Sequence, residues 1–554
     1  VQISNADVLV LDNKDKLELR LFDSNTYFNL SDESAELKIS SKIKNENILT
    51  PLEFSIKSRE NFEKYTVHVK ANDMNPSVFA PKQGRFSFLN EVITPIDLIA
   101  SFNVDKKSGV ETADISIKAK QGSIGAFEKK LNFDIISLKA NLEATSEIME
   151  ISEFSIQSSS VNFRGNGSLS ELKALTDGNT STAPLFNIEL EDVILENTFE
   201  LQKPMRLSSL SVSGRLDLDA RHLKLKKFDI NFGAYKLLTY GEFKQGKAGS
   251  WETIDFRGKS KGLMYINNLL DIWPNDLASG ARRWVDRSMI NATIKNINFS
   301  LDLPQGYLLG TQSLNDKDFS LKFDVTNANV KYISTMTPYI GVSGTGLIRG
   351  NSAKFQALGG KIGNIKINAA TADITQFFPK GSDVIIDVDA YGKAEDLIAL
   401  VDEKPLKIAK KYRVIPTQFS GSGNIHLKVK RPLLENFDRS RIDYVVSGKL
   451  NNISAPFSIG NHKLKNGFVD LFVDKEKMKI SGPVFIGPWK ANLSASTILN
   501  KNILISGDYE IIDYSSVRMN SDSYRFTDEN EIISNLYQKT ENIKIGAEMN
   551  IKPF

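Results

Sequence analysis

The chain has 554 residues, 41% hydrophobic and 25% charged, with no cysteine and a net charge of +3 from 70 Lys and Arg against 67 Asp and Glu. Such a composition is globular and supplies ample apolar material for a core, so a disordered chain is excluded. Disulfide staples, thiolate metal sites and a cysteine nucleophile are excluded too, and the basic excess of a nucleic-acid binder is missing.

At roughly 150 residues per domain, the length corresponds to three or four domains or to one elongated repeat array. No stretch approaches the roughly 18 apolar residues of a bilayer-spanning helix. The chain starts at Val1 without a basic-then-apolar leader, and reads as a fragment or processed form with its targeting segment upstream.

Strict alternation dominates from the start. Leu17, Leu19 and Leu21 alternate with Lys16, Glu18 and Arg20, and Leu37 and Ile39 with Lys38 and Ser40. Period two means half-buried strands with one apolar and one polar face. Turn signals follow at 12–15, at Gly165-Asn166-Gly167 and at Gly421-Ser422-Gly423. Their spacing, about 8–12 residues, is that of an antiparallel all-β chain of on the order of 40 strands. Residues 207–232, 342–367 and 464–495 are loose internal repeats of strand, turn and strand.

Small helical insertions interrupt the pattern. The first candidate is Met74–Pro81. The best defined spans 258–290, where Leu263, Ile266 and Leu270 precede Trp273-Pro274, and Leu277, Ala281, Trp284 and Val285 form a stripe opposite Asp276, Arg283 and Arg287. That spacing predicts an amphipathic helical hairpin. A second short insertion is expected near 394–412. The expected domains are therefore 1–257, 258–290 and 291–554. Alternation resumes at Val384, Ile386 and Val388 and again at Ile425, Leu427 and Val429.

Chemistry-bearing motifs are scarce. His68, His222, His426 and His462 each stand alone, and no HExxH, GxSxG or phosphate-loop pattern occurs. Gly344, Gly346 and Gly350 lie in a β context and read as a turn or bulge. Asp217/Asp219 and Asp387/Asp389 occupy polar strand positions and read as a solvated face. Asn179 and Asn492 head N-x-S/T triplets that matter only in a glycosylating compartment. No catalytic residue, metal site or cofactor is expected.

The apolar face of so long a sheet must be covered, either by its own side chains as in a sandwich or by an apolar ligand in a groove. Periodicity alone leaves both open, with the self-filled core ahead.

The run Leu269-Leu270-Asp271-Ile272-Trp273-Pro274, followed by Ala281-Arg282-Arg283-Trp284-Val285 and a strand closing at Leu303-Pro304, resembles the Trp-Pro…Arg-x-Trp-Val signature of the YhdP-like branch of the AsmA-like proteins. Leu397 to Pro405, continuing to Gly421-Ser422-Gly423 and Arg431-Pro432-Leu433, is similar to a later segment of that family. Met74–Pro81 with Pro95-Ile96-Asp97-Leu98 is similar to an earlier one. The rest is a style of β repeat shared with TamB-like relatives.

The resemblance implies a long curled antiparallel β-groove, a "β-taco" of repeated strands with small helical insertions. It implies a periplasmic, bridge-like lipid transport protein, held in the inner membrane by a helix that this chain lacks. Phospholipids would then move towards the outer membrane, with unknown envelope proteins as further partners. The expected lining is Leu17, Leu19, Leu21, Ile115, Ile117, Leu216, Leu218, Ile365, Ile367, Val384, Ile386, Val388, Ile425, Leu427 and Val429; for each, self-packed core is the alternative. Trp273, Pro274, Trp284 and Val285 are expected to dock the hairpin on the sheet. The competing readings are a structural or adhesive β-rich surface protein with a filled core, and an enzyme on a β scaffold.

Overall fold

The computed structural model describes Val1–Ile551 except residues 13–16, 46–47, 77–91, 127–128, 144–146, 173–182, 197–200, 202, 218–220, 246–250, 276, 304–313, 405, 412–413, 435–436, 460–461, 488, 499–502, 511–531 and 540–541. Regular structure is mostly antiparallel strand, as the alternation predicts. The chain divides into two units: Val1–Arg282 with Asn296–Gln312, and Arg283–Lys295 with Ser313–Phe554. Residues after the helical segment return to the first ladder. Strand Thr293–Leu303 pairs with Trp251–Gly262, placing Leu303 opposite Ile254 and Phe299 opposite Gly258.

In the first unit, the main strands from Gln2–Asp12 to Trp251–Gly262 pair antiparallel, each with its neighbours in sequence. One side sheet, Val92–Ile93, Gly122–Ala126 and Lys129–Phe133, stands apart, so Gly109–Ala119 pairs directly with Ile135–Glu143. The second unit continues the same way from Phe319–Val330 to Ile503–Glu510. Helices α1 (Ile266–Ile272) and α2 (Ser279–Ser288) lie in the first expected insertion. Helices α3 (Ala394–Asp402) and α4 (Ile408–Lys411) lie in the second. Of the insertion expected at Met74–Pro81, residues from 77 onward lie outside the described residues.

Two of the expected turns are not turns. Gly165-Asn166-Gly167 lies inside strand Val161–Ser170, and Gly421-Ser422-Gly423 inside Ser420–Pro432. Likewise Gly344 and Gly346 lie inside Tyr339–Arg349. The reason is steric. A Cβ on Gly346 would sit 2.4 Å from the Phe323 ring, and one on Gly165 would sit 2.7 Å from Leu190 Cδ2. Glycine there leaves room for the large side chain of the adjacent strand. The strands consequently run longer than the turn spacing predicts, 14 residues in Leu17–Leu30 and 17 in Asp443–Ile459.

Bulges bend these long strands by a recurring device. Asn5, Asp23, Asp73, Asp192, Asn327 and Asn452 all have φ between 49° and 55°. Each sits where its strand carries one more residue than its partner. Asn and Asp tolerate the left-handed region better than other side chains, and the extra residue kinks the strand. It also switches the alternation: Leu321, Phe323 and Val325 share a face with Ala328, across Asn327. The next residue turns into the core, so Ser24, Met74, Val193, Ala328 and Ile453 are all buried.

Replacing Asn452 by valine puts a β-branched residue at φ 54° and is expected to cost about 1–3 kcal/mol. Hydrogen exchange should quicken at the ladder amides from Leu450 to Ala455, while Asn452→Gly keeps their protection. Unchanged exchange in the valine variant would refute the bulge as the bending element.

Candidate functional site

Residues directly opposite in a ladder share a face, so register converts the strand list into two apolar faces, one per unit. In the first unit a single row runs Leu52, Ala71, Leu98, Ile117, Leu138, Phe154, Gly165, Leu190, Leu210, Ile230, Leu237, each opposite the next. In the second unit a row runs Val325, Gly344, Ala357, Ala370, Val388, Leu427, Val446, Val473, Met478. One residue along each strand lies the opposite face: Asp324, Thr345, Gln356, Thr371, Asp387, Lys428.

Burial grades across the first unit's apolar face. At the bulged ends of the strands, Leu21, Ile43, Leu52, Ala71, Met74, Ile96, Ala119 and Ile156 form a continuous buried cluster. Towards the far end of Leu17–Leu30 the same face opens to solvent, with Phe28 36% and Leu30 62% exposed. Aromatic rings populate this face: Phe256 lies 5.6 Å from Phe243, 6.0 Å from Phe228 and 5.9 Å from Phe299. A wall closed along one side and exposed along the other can accept an apolar chain without first being unpacked.

Of the expected lining residues, Val384, Ile386, Val388, Ile425, Leu427 and Val429 fall on the apolar face of the second unit. All of these except the buried Val384 are half-buried. Ile115 and Ile117 lie on that of the first unit, half-buried, and Leu216, opposite Leu223, is 38% exposed. Leu21 is packed within the cluster described above. Ile365 and Ile367 are 2% exposed, and Ile365 flanks Gly392 together with Leu397 of α3. These three are buried core positions. The side chains of Leu17 and Leu19, and all of Leu218, lie outside the described residues.

The helical segment is anchored differently from the expected stripe. Met264, Ile266 and Leu270 are buried, and Trp273 and Pro274 are half-buried, with Trp273 Nε1 donating to Leu277 O at 2.7 Å. Val285 is half-buried, but Trp284 is 47% and Leu277 61% exposed, so neither is covered as a docked residue would be. The buried side chain is Arg282: its Nε donates to Trp273 O at 2.8 Å and its Nη2 to Leu270 O at 2.9 Å. Helix α1 has no basic residue in its last turn, and the guanidinium supplies donors to carbonyls that a helix end leaves unpaired. The sequence places Arg282 beside Arg283 on a nominally polar stretch; its spacing from Trp273 was the available signal.

In the second unit α3 is fixed at both ends. Ala394 packs among Ile453, Leu464, Val469, Val484 and Ile486. After its last turn the Glu403 carboxylate accepts hydrogen bonds from the Thr337 backbone N–H and hydroxyl, and Lys404 O accepts one from Thr335. Burial, aided by the nearby Glu403 charge, pushes the Tyr332 phenol up to about 12. Arg431, opposite Val384, is a cation on the apolar face that the alternation does not anticipate. It donates to Pro432 O and Leu434 O and lies 4.7 Å from the Phe437 ring centre; burial draws its pKa down.

On the opposite face His426 lies 2.8 Å from Asp389 and 3.4 Å from Asp387, an exposed ion-pair arrangement. Among the described residues no three His, Asp or Glu side chains are placed to hold a metal ion, and no helix is long and apolar enough to cross a membrane.

A family model described as YhdP protein matches residues 135–511, more than half of the chain. No curated protein matches, and no solved structure does.

Arg282→Leu strands two helix-end carbonyls and is expected to cost about 1–3 kcal/mol. Amide exchange in α1 should accelerate while the ladder from Leu52 to Ile117 keeps its protection; equal protection of α1 in both proteins would refute the anchor.

Proposed function

The chain belongs to the YhdP protein family, and from that premise we propose that it is an envelope-associated lipid carrier. It works in the periplasm as a bridge-like transport protein, anchored in the inner membrane when full length, and moves phospholipid acyl chains towards the outer membrane. The observation that carries this reading is the pair of predominantly apolar faces, half-buried rather than sealed over much of their width. Acyl chains lie against residues such as Val388, Leu427 and Val446, and each methylene taken from water contributes about 0.8 kcal/mol. Head groups stay in water at the exposed edge. The reaction is non-covalent: the chain supplies a path, not catalysis, and the direction of transport comes from elsewhere.

A self-filled structural protein is the second reading. It draws on the full burial of Ile365 and Ile367 and on the packed cluster around Val484.

Lipid extraction and mass spectrometry on a detergent-free preparation separate the two. Several phospholipids per chain are expected, against none for a similarly expressed soluble β protein; a lipid-free chain would replace the carrier with the structural reading. Leu427→Asp should lower the lipid count, whereas Lys428→Ser, on the opposite face, should leave it unchanged. Equal losses from both variants would overturn the assignment of the inward face.

A further inference from the structure

The second unit carries a shallow depression, open to solvent, of about 540 Å³, lined by Asn327, Asn329, Gly341, Lys361, Asn364 and Lys366, among others. It lies away from the apolar face: Lys366 alternates with Ile365 and Ile367, which are buried on that other side. Lys361 and Lys366 are directly opposite each other in the ladder between Lys361–Ile362 and Ile365–Ile374. Like charges in that position destabilise a sheet. Elsewhere in this unit some outward cations face carboxylates, as Lys354 does Asp373 at 3.6 Å and Lys430 does Asp383 at 3.1 Å. Neither the Lys361 nor the Lys366 side chain has an ion pair or hydrogen bond among the described residues.

The other polar groups are arranged to give, not to take. Asn329 Oδ1 is occupied by the Gly341 N–H at 3.2 Å, which leaves its amide N–H₂ as the group available to a ligand. The one carboxylate close by, Asp396, accepts from Asn364 Nδ2 at 3.1 Å and does not line the depression. Gly341, at φ 68°, carries no side chain that would fill the space, and a Cβ there would meet nothing within 4 Å. Two ammonium groups and an amide donor around a carboxylate-free depression form a receptor for an oxyanion. The depression is open to solvent and leaves room beside a phosphate for the group that bears it.

We propose that this depression binds a phosphate monoester or diester borne on a small polyol, with Lys361 and Lys366 flanking the phosphate and Asn329 donating to it. The shared chemistry admits two sources, a soluble phosphorylated polyol and the head group of a glycerophospholipid. The site is independent of the apolar faces, so its failure leaves the carrier reading as it stands.

Titration of the whole chain with sn-glycerol 3-phosphate at low ionic strength, followed by calorimetry, tests it. Saturable binding is expected, weakened at least tenfold in Lys361→Met/Lys366→Met, with no binding of glycerol and no change in Lys322→Met, an exposed lysine of the same unit. Lys361→Glu makes the cross-strand pair complementary, so it should abolish binding while raising the melting temperature; this separates loss of the site from loss of the fold. Sedimentation with phosphatidylglycerol vesicles, against phosphatidylcholine vesicles as a second phosphodiester and neutral detergent micelles as blank, identifies the source. Lysine-dependent vesicle binding assigns the head group, and its absence beside glycerol 3-phosphate binding assigns the soluble ester. No saturable binding, or equal weakening by Lys322→Met, would overturn the proposal.

Discussion

The structure depends on keeping one face of every strand apolar across many successive strands. Because side chains alternate with period two, a single added residue would turn the rest of a strand inside out. Here the added residue is used deliberately. At Asp23, Asp73, Asp192, Asn327 and Asn452 the backbone enters the left-handed region, absorbs the extra position and returns the next side chain to the core. The strand bends without losing its face. An unbulged strand of this length would be straighter, and the buried cluster that links Leu21 to Ile156 along one side of the first unit depends on the curve.

Much of this was legible in the chain. Alternation at Val384–Val388 and Ile425–Val429 identified the strands and their apolar faces, because a half-buried strand has no other stable pattern. What alternation could not show was depth. Val384 and Leu427 have the same signature, yet one is buried and the other half-buried, since depth depends on what packs over each position. Glycine misled for a related reason. In a sequence, a glycine that clears a ring such as Phe323 is indistinguishable from one that makes a turn, and only the register separates them. The Asx bulges left a readable trace, a phase switch in the alternation at a polar residue, which resembles an ordinary loop when seen one strand at a time. Arg282 was concealed by the convention that a helix buries its apolar stripe; the carbonyls of the preceding helix made a buried guanidinium the better solution.

An open apolar face is costly in water, and its retention is the physical argument for an apolar occupant. Uniformity matters as much as apolarity. A row that reads Val, Gly, Ala, Ala, Val, Leu, Val offers an acyl chain nearly the same environment at each strand. On the proposed reading a ligand would meet no deep well in which to stop, which suits movement better than storage.

Uniformity creates a difficulty that the other face resolves. Apolar side chains of similar size match one another in many registers, so the inner face alone specifies pairing weakly. The outer face carries the discrimination: Lys428 stands opposite Asp387, Lys430 opposite Asp383, and His426 opposite Asp389. Each exposed pair contributes little, about 0–1 kcal/mol, too little to hold the fold. Register is nonetheless a choice between alternatives, and a one-residue slip would lose all three pairings and bring Val384, Ile386 and Val388 to the polar side at the same time. Small outer energies and the large inner penalty thus point to the same register, and a near-neutral chain with many charges is what that division of labour produces.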